Sequence, residues 1–183
     1  CAGLLFCRFR PRALVAICAG LLVGYWAIMT FIPIRDFQLT REAVAQAAEA
    51  AGDTQTADFF RDPGSPNPSG VLNSPAWRAT EKLFYATTNR VSGKFGKGFN
   101  VADHFDFQHL PGRKHDTFFD PEGFLSTLPA IATCLLGVFA GLLLRNRNVA
   151  DLNKVAWLVG AGVLAVGVGW LWNFQFPVIK KIW

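Results

Sequence analysis

The chain has 183 residues, of which 51% are hydrophobic and only 17% charged, with a formal net charge of +5. A water-soluble domain carries about a quarter charged residues, so this composition argues against one. The location of the positive charge argues against a nucleic-acid partner as well. Residues 35–122 hold ten basic against twelve acidic side chains, and the basic surplus lies in short pieces that flank apolar runs.

In chain order, residues 1–12 ("CAGLLFCRFRPR") read as the end of a preceding apolar helix and a basic cytoplasmic loop. With no initiator Met, this beginning is expected to be internal to a larger polytopic protein. Residues 13–34 open with an uncharged run long enough, at about 1.5 Å per residue, to cross a hydrocarbon core of roughly 30 Å. Gly20 and Gly24 share one face of this helix, where a neighbouring helix can approach closely.

Residues 35–123 form a long extracytoplasmic loop that is expected to be partly helical, because so long a connection without structure is uncommon. "TREAVAQAAEAAGDTQTADFF" is rich in strong helix formers, with Thr40 as N-cap. "DPGSPNPSG" breaks the chain, and "SPAWRATEKLFYATTNRVSG" predicts a second short helix with Ser74 capping and Pro75 at its first position. "GKFGKGFN" reads as a turn-rich connection.

The ionisable residues beyond it invite chemistry. His104, His109 and His115 are close in sequence, but their spacing matches no common zinc pattern and no Cys joins them. They are expected to be loop histidines, and no metal site is expected. In "DPEG", Asp120 is placed to cap the following helix, Pro121 to occupy its first position, and Glu122 to lie in its first turn. Arg113 and Lys114 in "PGRK" are candidates for an anion such as a phosphate or carboxylate beside that helix start. The residue types allow two readings: charges that mark the membrane surface, and a polar mouth that binds substrate or cofactor.

Residues 124–144 form a second uncharged span, with Gly137 and Gly141 on one face and Pro129 near its start. Residues 145–154 ("RNRNVADLNK") make a basic cytoplasmic loop, and residues 155–174 a third span with Trp170 and Trp172 at its outer end, as suits an interface. Residues 175–183 lie outside, where Lys180 and Lys181 either anchor the helix end or meet anionic partners. Short basic loops stay in the cytoplasm, so alternation puts residues 35–123 in the periplasm and the chain in the inner membrane. Cys18 and Cys134 fall inside predicted helices, Cys1 and Cys7 at the cytoplasmic edge, and none in the external loop, so no disulfide framework is expected. The expected fold is an all-α polytopic transmembrane bundle of three spans with a partly helical external cap.

"PGRKHDTFFDPEGFLSTLPAIATCLLGVFAGLLL", followed by "FQFPVIKKIW", resembles the membrane acyltransferases related to heparan-α-glucosaminide N-acetyltransferase, in particular their bacterial relatives. The similarity covers residues 100–183 well and residues 13–34 loosely; residues 35–99 match only a subset of such proteins. The resemblance implies a polytopic enzyme that moves acetyl from cytoplasmic acetyl-CoA to an amino sugar or glycan on the far side. The family's catalytic His lies upstream of the region matched, so this sequence offers no catalytic position, and the animal pattern has Asn where Ile179 and Lys181 stand. Arg113, Lys114, Asp120, Glu122, Lys180 and Lys181 are then candidates to bind substrate or cofactor, while the chain acts as scaffold and pocket wall. Expected partners are the lipid bilayer, further helices of the full-length protein and a second copy of the chain. The competing expectation is a non-enzymatic membrane protein: a transporter or export subunit, or a scaffold presenting the external loop. The three spans carry no Asp, Glu, Lys, Arg or His, which argues against an ion-coupled pathway lined by them.

Overall fold

The computed structural model describes residues 8–70 and 74–177. Among the described residues its regular structure is helical apart from two short strands, and the chain divides into two compact units. Three helices are long and apolar enough to cross a membrane: α1 (Pro11–Phe31), α6 (Thr127–Arg145) and α7 (Asp151–Trp172). Each agrees with an expected span to within a few residues at either end.

Among the described residues, the first unit comprises residues 8–26 and 127–177. Pro11 starts α1 where its missing N–H costs nothing, and the Arg10 carbonyl accepts from the Ala13 and Leu14 amides at 2.9 and 3.1 Å. Pro33 lies just beyond the end of the helix, since the residue before a proline avoids helical geometry. α6 begins at Thr127, so Pro129 falls in its first turn, where amides lack intrahelical partners and no kink follows. α1 and α6 pack through a small apolar cluster, Leu14 and Cys18 against Ala132 and Leu135, and the Cys18 thiol donates to the Ala132 carbonyl at 3.6 Å. α7 touches α1 through an edge-to-face pair of Trp26 and Trp172 with ring centroids 6.0 Å apart, yet buries none of its own residues. The expected glycine-mediated packing is absent among the described residues. A methyl group placed on Gly20, Gly24, Gly137 or Gly141 would meet nothing within 4 Å.

The second unit comprises Ala27–Ser126. Strand β1 (Ile34–Arg35) pairs antiparallel with β2 (Arg90–Val91), in the register Ile34 to Val91 and Arg35 to Arg90. The helix-rich stretch after Thr40 forms two helices, α2 (Arg41–Ala50) and α3 (Thr54–Arg61). Thr40 caps α2 as expected, its Oγ1 accepting from the Ala43 amide at 3.3 Å. Gly52, at φ +79°, then turns the chain out of α2, with the Asp53 amide donating back to the Ala48 carbonyl. Asp53 immediately caps α3: the Thr56 hydroxyl and amide donate to its carboxylate and hold its pKa below the usual value. Arg41 closes the loop after α3 by donating to the Phe59, Phe60, Asp62 and Ser65 carbonyls and to the Ser65 hydroxyl.

Helix α4 (Pro75–Ala86) has Pro75 at its first position as expected, but Ser74 makes no side-chain cap. Helix α5 (Val101–His109) stands where a loop was expected. These elements enclose an aromatic core in which Phe84 meets Phe37 edge-on at 6.0 Å and Phe107 at 4.9 Å, while Phe118 lies 5.4 Å from Phe60. Such pairs add a few tenths to about 1.5 kcal/mol each beyond the area they bury.

Candidate functional site

Helix α5 carries three ionisable side chains into the interior: Asp103 and His104 at 1% exposure and Asp106 at 0%. A buried charge persists only when it is paired or hydrogen-bonded, so the partners of each decide what it does. Asn100, in extended conformation, caps the helix by accepting from the Asp103 amide at 2.9 Å. Asp103 answers by accepting from the Asn100 side-chain amide at 2.6 Å and from the Gly98 amide at 2.8 Å. Gly98 is required here: its φ is +68°, and a methyl group on it would lie 2.4 Å from the Leu39 carbonyl oxygen.

His104 Nε2 sits 3.0 Å from the Phe37 carbonyl oxygen. A carbonyl only accepts, so Nε2 carries the proton and the ring is held in that tautomer. Burial pushes the imidazole pKa down to about 4, against the opposing effect of the Phe37 and Gly98 backbone and with some help from the Arg35 charge. His104 is therefore neutral at pH 7 and joins the segment before α2 to α5.

Asp106 ties down the "DPEG" turn. Its Oδ1 accepts from the Phe124 amide at 3.3 Å, and a methyl group on Gly123 would fall 1.7 Å from Oδ2. Only glycine permits that approach. Within the turn, Asp120 Oδ1 accepts from the Glu122 amide at 3.0 Å, and the Gly123 amide donates to the Asp120 carbonyl. Asp120 thus closes its own turn and does not cap the span, which starts at Thr127. The Ser126 hydroxyl donates to the Gly123 carbonyl at 2.5 Å.

Arg113 and Lys114 are neighbours in sequence and opposites in space. Arg113 is exposed, with its aliphatic stem along Gly70. Lys114 is 3% exposed, with Nζ 4.6 Å from the centre of the Trp77 ring, a cation–π contact. Burial lowers its pKa, and the charges of Asp106 and Glu81 pull the other way. Its backbone is clamped by Asn67, which donates to the Lys114 carbonyl at 2.7 Å, and by Ser69, whose hydroxyl accepts from the Lys114 amide at 2.9 Å. Three residues on, the Phe118 amide donates to the Asp116 carbonyl across Thr117 at φ 66°. This is a tight γ-turn in a conformation unfavourable for a β-branched residue, and it delivers Phe118 and Phe119 to the core.

The expected site residues differ in exposure. Arg113 and Glu122 are exposed, Asp120 is half-buried, Lys114 is enclosed, and Lys180 and Lys181 lie outside the described residues. The histidines also part company: His104 is interior, His115 is exposed, and His109 stacks on Phe105 at 4.5 Å with Nδ1 against the Phe105 carbonyl. Sequence reasoning missed Asp103, Asp106 and Trp77. The Asn100-x-x-Asp103 spacing, a capping pattern, was the available signal for α5. No family model, curated protein or solved structure matches this chain.

Proposed function

We propose that the chain forms part of a membrane-embedded acyltransferase, which carries acetyl from cytoplasmic acetyl-CoA to an amino sugar or glycan across the inner membrane. Residues 35–123 then lie on the periplasmic side, and the chain supplies scaffold and pocket wall. The observation that supports this reading best is that the stretch bearing the resemblance is also the stretch around which the cap is organised. Residues 111–124 are fixed by Asn67, Ser69 and Asp106 before the chain enters α6. A rigid turn at the mouth of a membrane helix is what an acyl-transfer site needs to orient a polar acceptor. Arg113 and Glu122 are the exposed groups on that turn suited to hold the acceptor. Lys180 and Lys181 are suited to anionic groups of acetyl-CoA or of lipid.

A second reading is favoured by one observation. The buried carboxylates and imidazole of α5 accept from or donate to the chain itself, as the parts of a membrane scaffold would. Acetyl-CoA turnover by the full-length protein, with glucosamine as acceptor and thiol release as readout, separates the two. The acyltransferase reading expects turnover whose kcat/KM falls about tenfold or more in Arg113→Ala or Glu122→Ala, the loss of one charged contact. Absence of turnover leaves the scaffold reading in place.

A further inference from the structure

The segment from Thr87 to Val101 carries three basic residues, Arg90, Lys94 and Lys97, and no acidic one. The fold sets this segment against the last turn of α1. β2 pairs with β1 only three residues beyond Phe31, and a methyl group on Gly93 would lie 3.8 Å from the Thr30 carbonyl oxygen. The register places Arg90 opposite Arg35, a like-charge pair that destabilises a two-stranded ladder. Arg35 escapes by turning under the loop, where it donates to the Thr87 and Tyr85 carbonyls at 2.6 and 3.3 Å and lies over the Phe84 ring. Arg90 has no such outlet. Lys97 pairs with Asp116 at 2.8 Å, and Asp36 is taken by the Asn89 side-chain amide at 2.8 Å. Among the described residues, no carboxylate lies within 4 Å of Arg90 or Lys94, and both are exposed. Beside them Phe31 and Ile32, at the end of the apolar helix, are exposed at 65% and 45%. Two cations without a carboxylate partner, Lys94 with its Nζ 5.8 Å from the centre of the Phe99 ring, stand next to exposed apolar side chains where a membrane-crossing helix ends. Such a combination suits the boundary between acyl chains and lipid phosphates.

We propose that Arg90 and Lys94 bind the phosphate groups of anionic phospholipids, so that residues 88–97 form a membrane-surface contact fixing the cap on the bilayer. The proposal rests on α1 crossing the membrane and is independent of acyl transfer. Its test uses the full chain reconstituted in phosphatidylcholine vesicles with increasing phosphatidylglycerol, with backbone hydrogen exchange followed peptide by peptide. Residues 88–97 are expected to exchange more slowly as phosphatidylglycerol rises, and the protection is expected to fade at high salt. In the Arg90→Gln/Lys94→Gln protein, the phosphatidylglycerol fraction giving half-maximal protection should rise roughly tenfold or more. No dependence on lipid charge in the unaltered protein, or an unchanged dependence in the double variant, overturns the proposal. Should the α4 amides show that the double variant is unfolded, Lys94→Gln alone decides, with an expected shift of roughly threefold or more. Amides within α1 report separately on the span: free exchange there in both vesicle types refutes the membrane reading itself, and this proposal with it.

Discussion

The two units of this chain bury different chemistry. In the first, α1 and α6 meet through four buried residues and α7 buries none. In the second, α5 alone buries six residues, three of them ionisable. The contrast follows from the solvent each unit suits. A helix in hydrocarbon gains nothing from hiding leucine, so its outer face stays apolar and its contacts stay few. A cap in water must hide phenylalanine, and in doing so it drags backbone and polar groups inside that then need partners. Specificity in the cap therefore lies in hydrogen bonds and close approaches; in the spans it lies in length and composition.

Glycine replacement should sharpen that contrast most. Gly123→Ala forces the DPEG turn off Asp106, and Gly98→Ala meets both a positive φ and the Leu39 carbonyl. Each is expected to cost about 4 kcal/mol or more, in the class of exceptional destabilisation. Gly160→Ala in α7, open to its surroundings, should change stability by less than about 1 kcal/mol. Denaturant melts followed by tryptophan fluorescence compare the three, and equal effects would erase the contrast between the two units.

The next effect is on pH. His104 has a folded pKa of about 4 against 6.5 for the free group, so the unfolded chain binds the proton more readily. The stability is fully present above about pH 6.5 and is lost as the pH falls toward 4, by about 3 kcal/mol in all. His104→Gln, able to donate to the Phe37 carbonyl, should flatten this slope in the cap. A slope that survives the replacement would assign it to other groups.

Smaller again is Lys114→Met, which keeps contact with Trp77 and removes a buried charge. It should lower cap stability by no more than about 2 kcal/mol, since the gain from removing a buried ammonium is set against the loss of its attraction to Asp106 and Glu81. A larger loss of stability would make the Lys114 ammonium an essential partner of Asp106. Least of all, Thr40→Ala should cost about 1 kcal/mol through loss of the α2 cap.

The spans were legible because an uncharged run of that length has few other uses. Thr40 and Pro75 were legible because caps and first-turn prolines act locally. α5 was not, because its face inverts the usual pattern: Asp103, His104 and Asp106 lie inside among Phe107 and Ala102, so polarity gives no period. The two-residue strands are too short to alternate. At the site, Arg113 and Lys114 looked equivalent; only the turn through Thr117 and the Trp77 ring, set by distant parts of the chain, separates them.

The Asp106–Phe124 bond also sets an order of assembly. Two of the cap's stitches join residues far apart in the chain, Phe37 to His104 and Asp36 to Asn89, and a shorter one at its C-terminal end joins Asp106 to Phe124. Non-local closures come late in folding, after the intervening loops have been drawn together. During synthesis, the helical pair α2–α3 can form as soon as it emerges, but the cap has no complete interior until the residues leading into α6 have left the ribosome. Until then its phenylalanines lack their full cover, and a pause in translation within α6 would lengthen the interval in which they stay exposed.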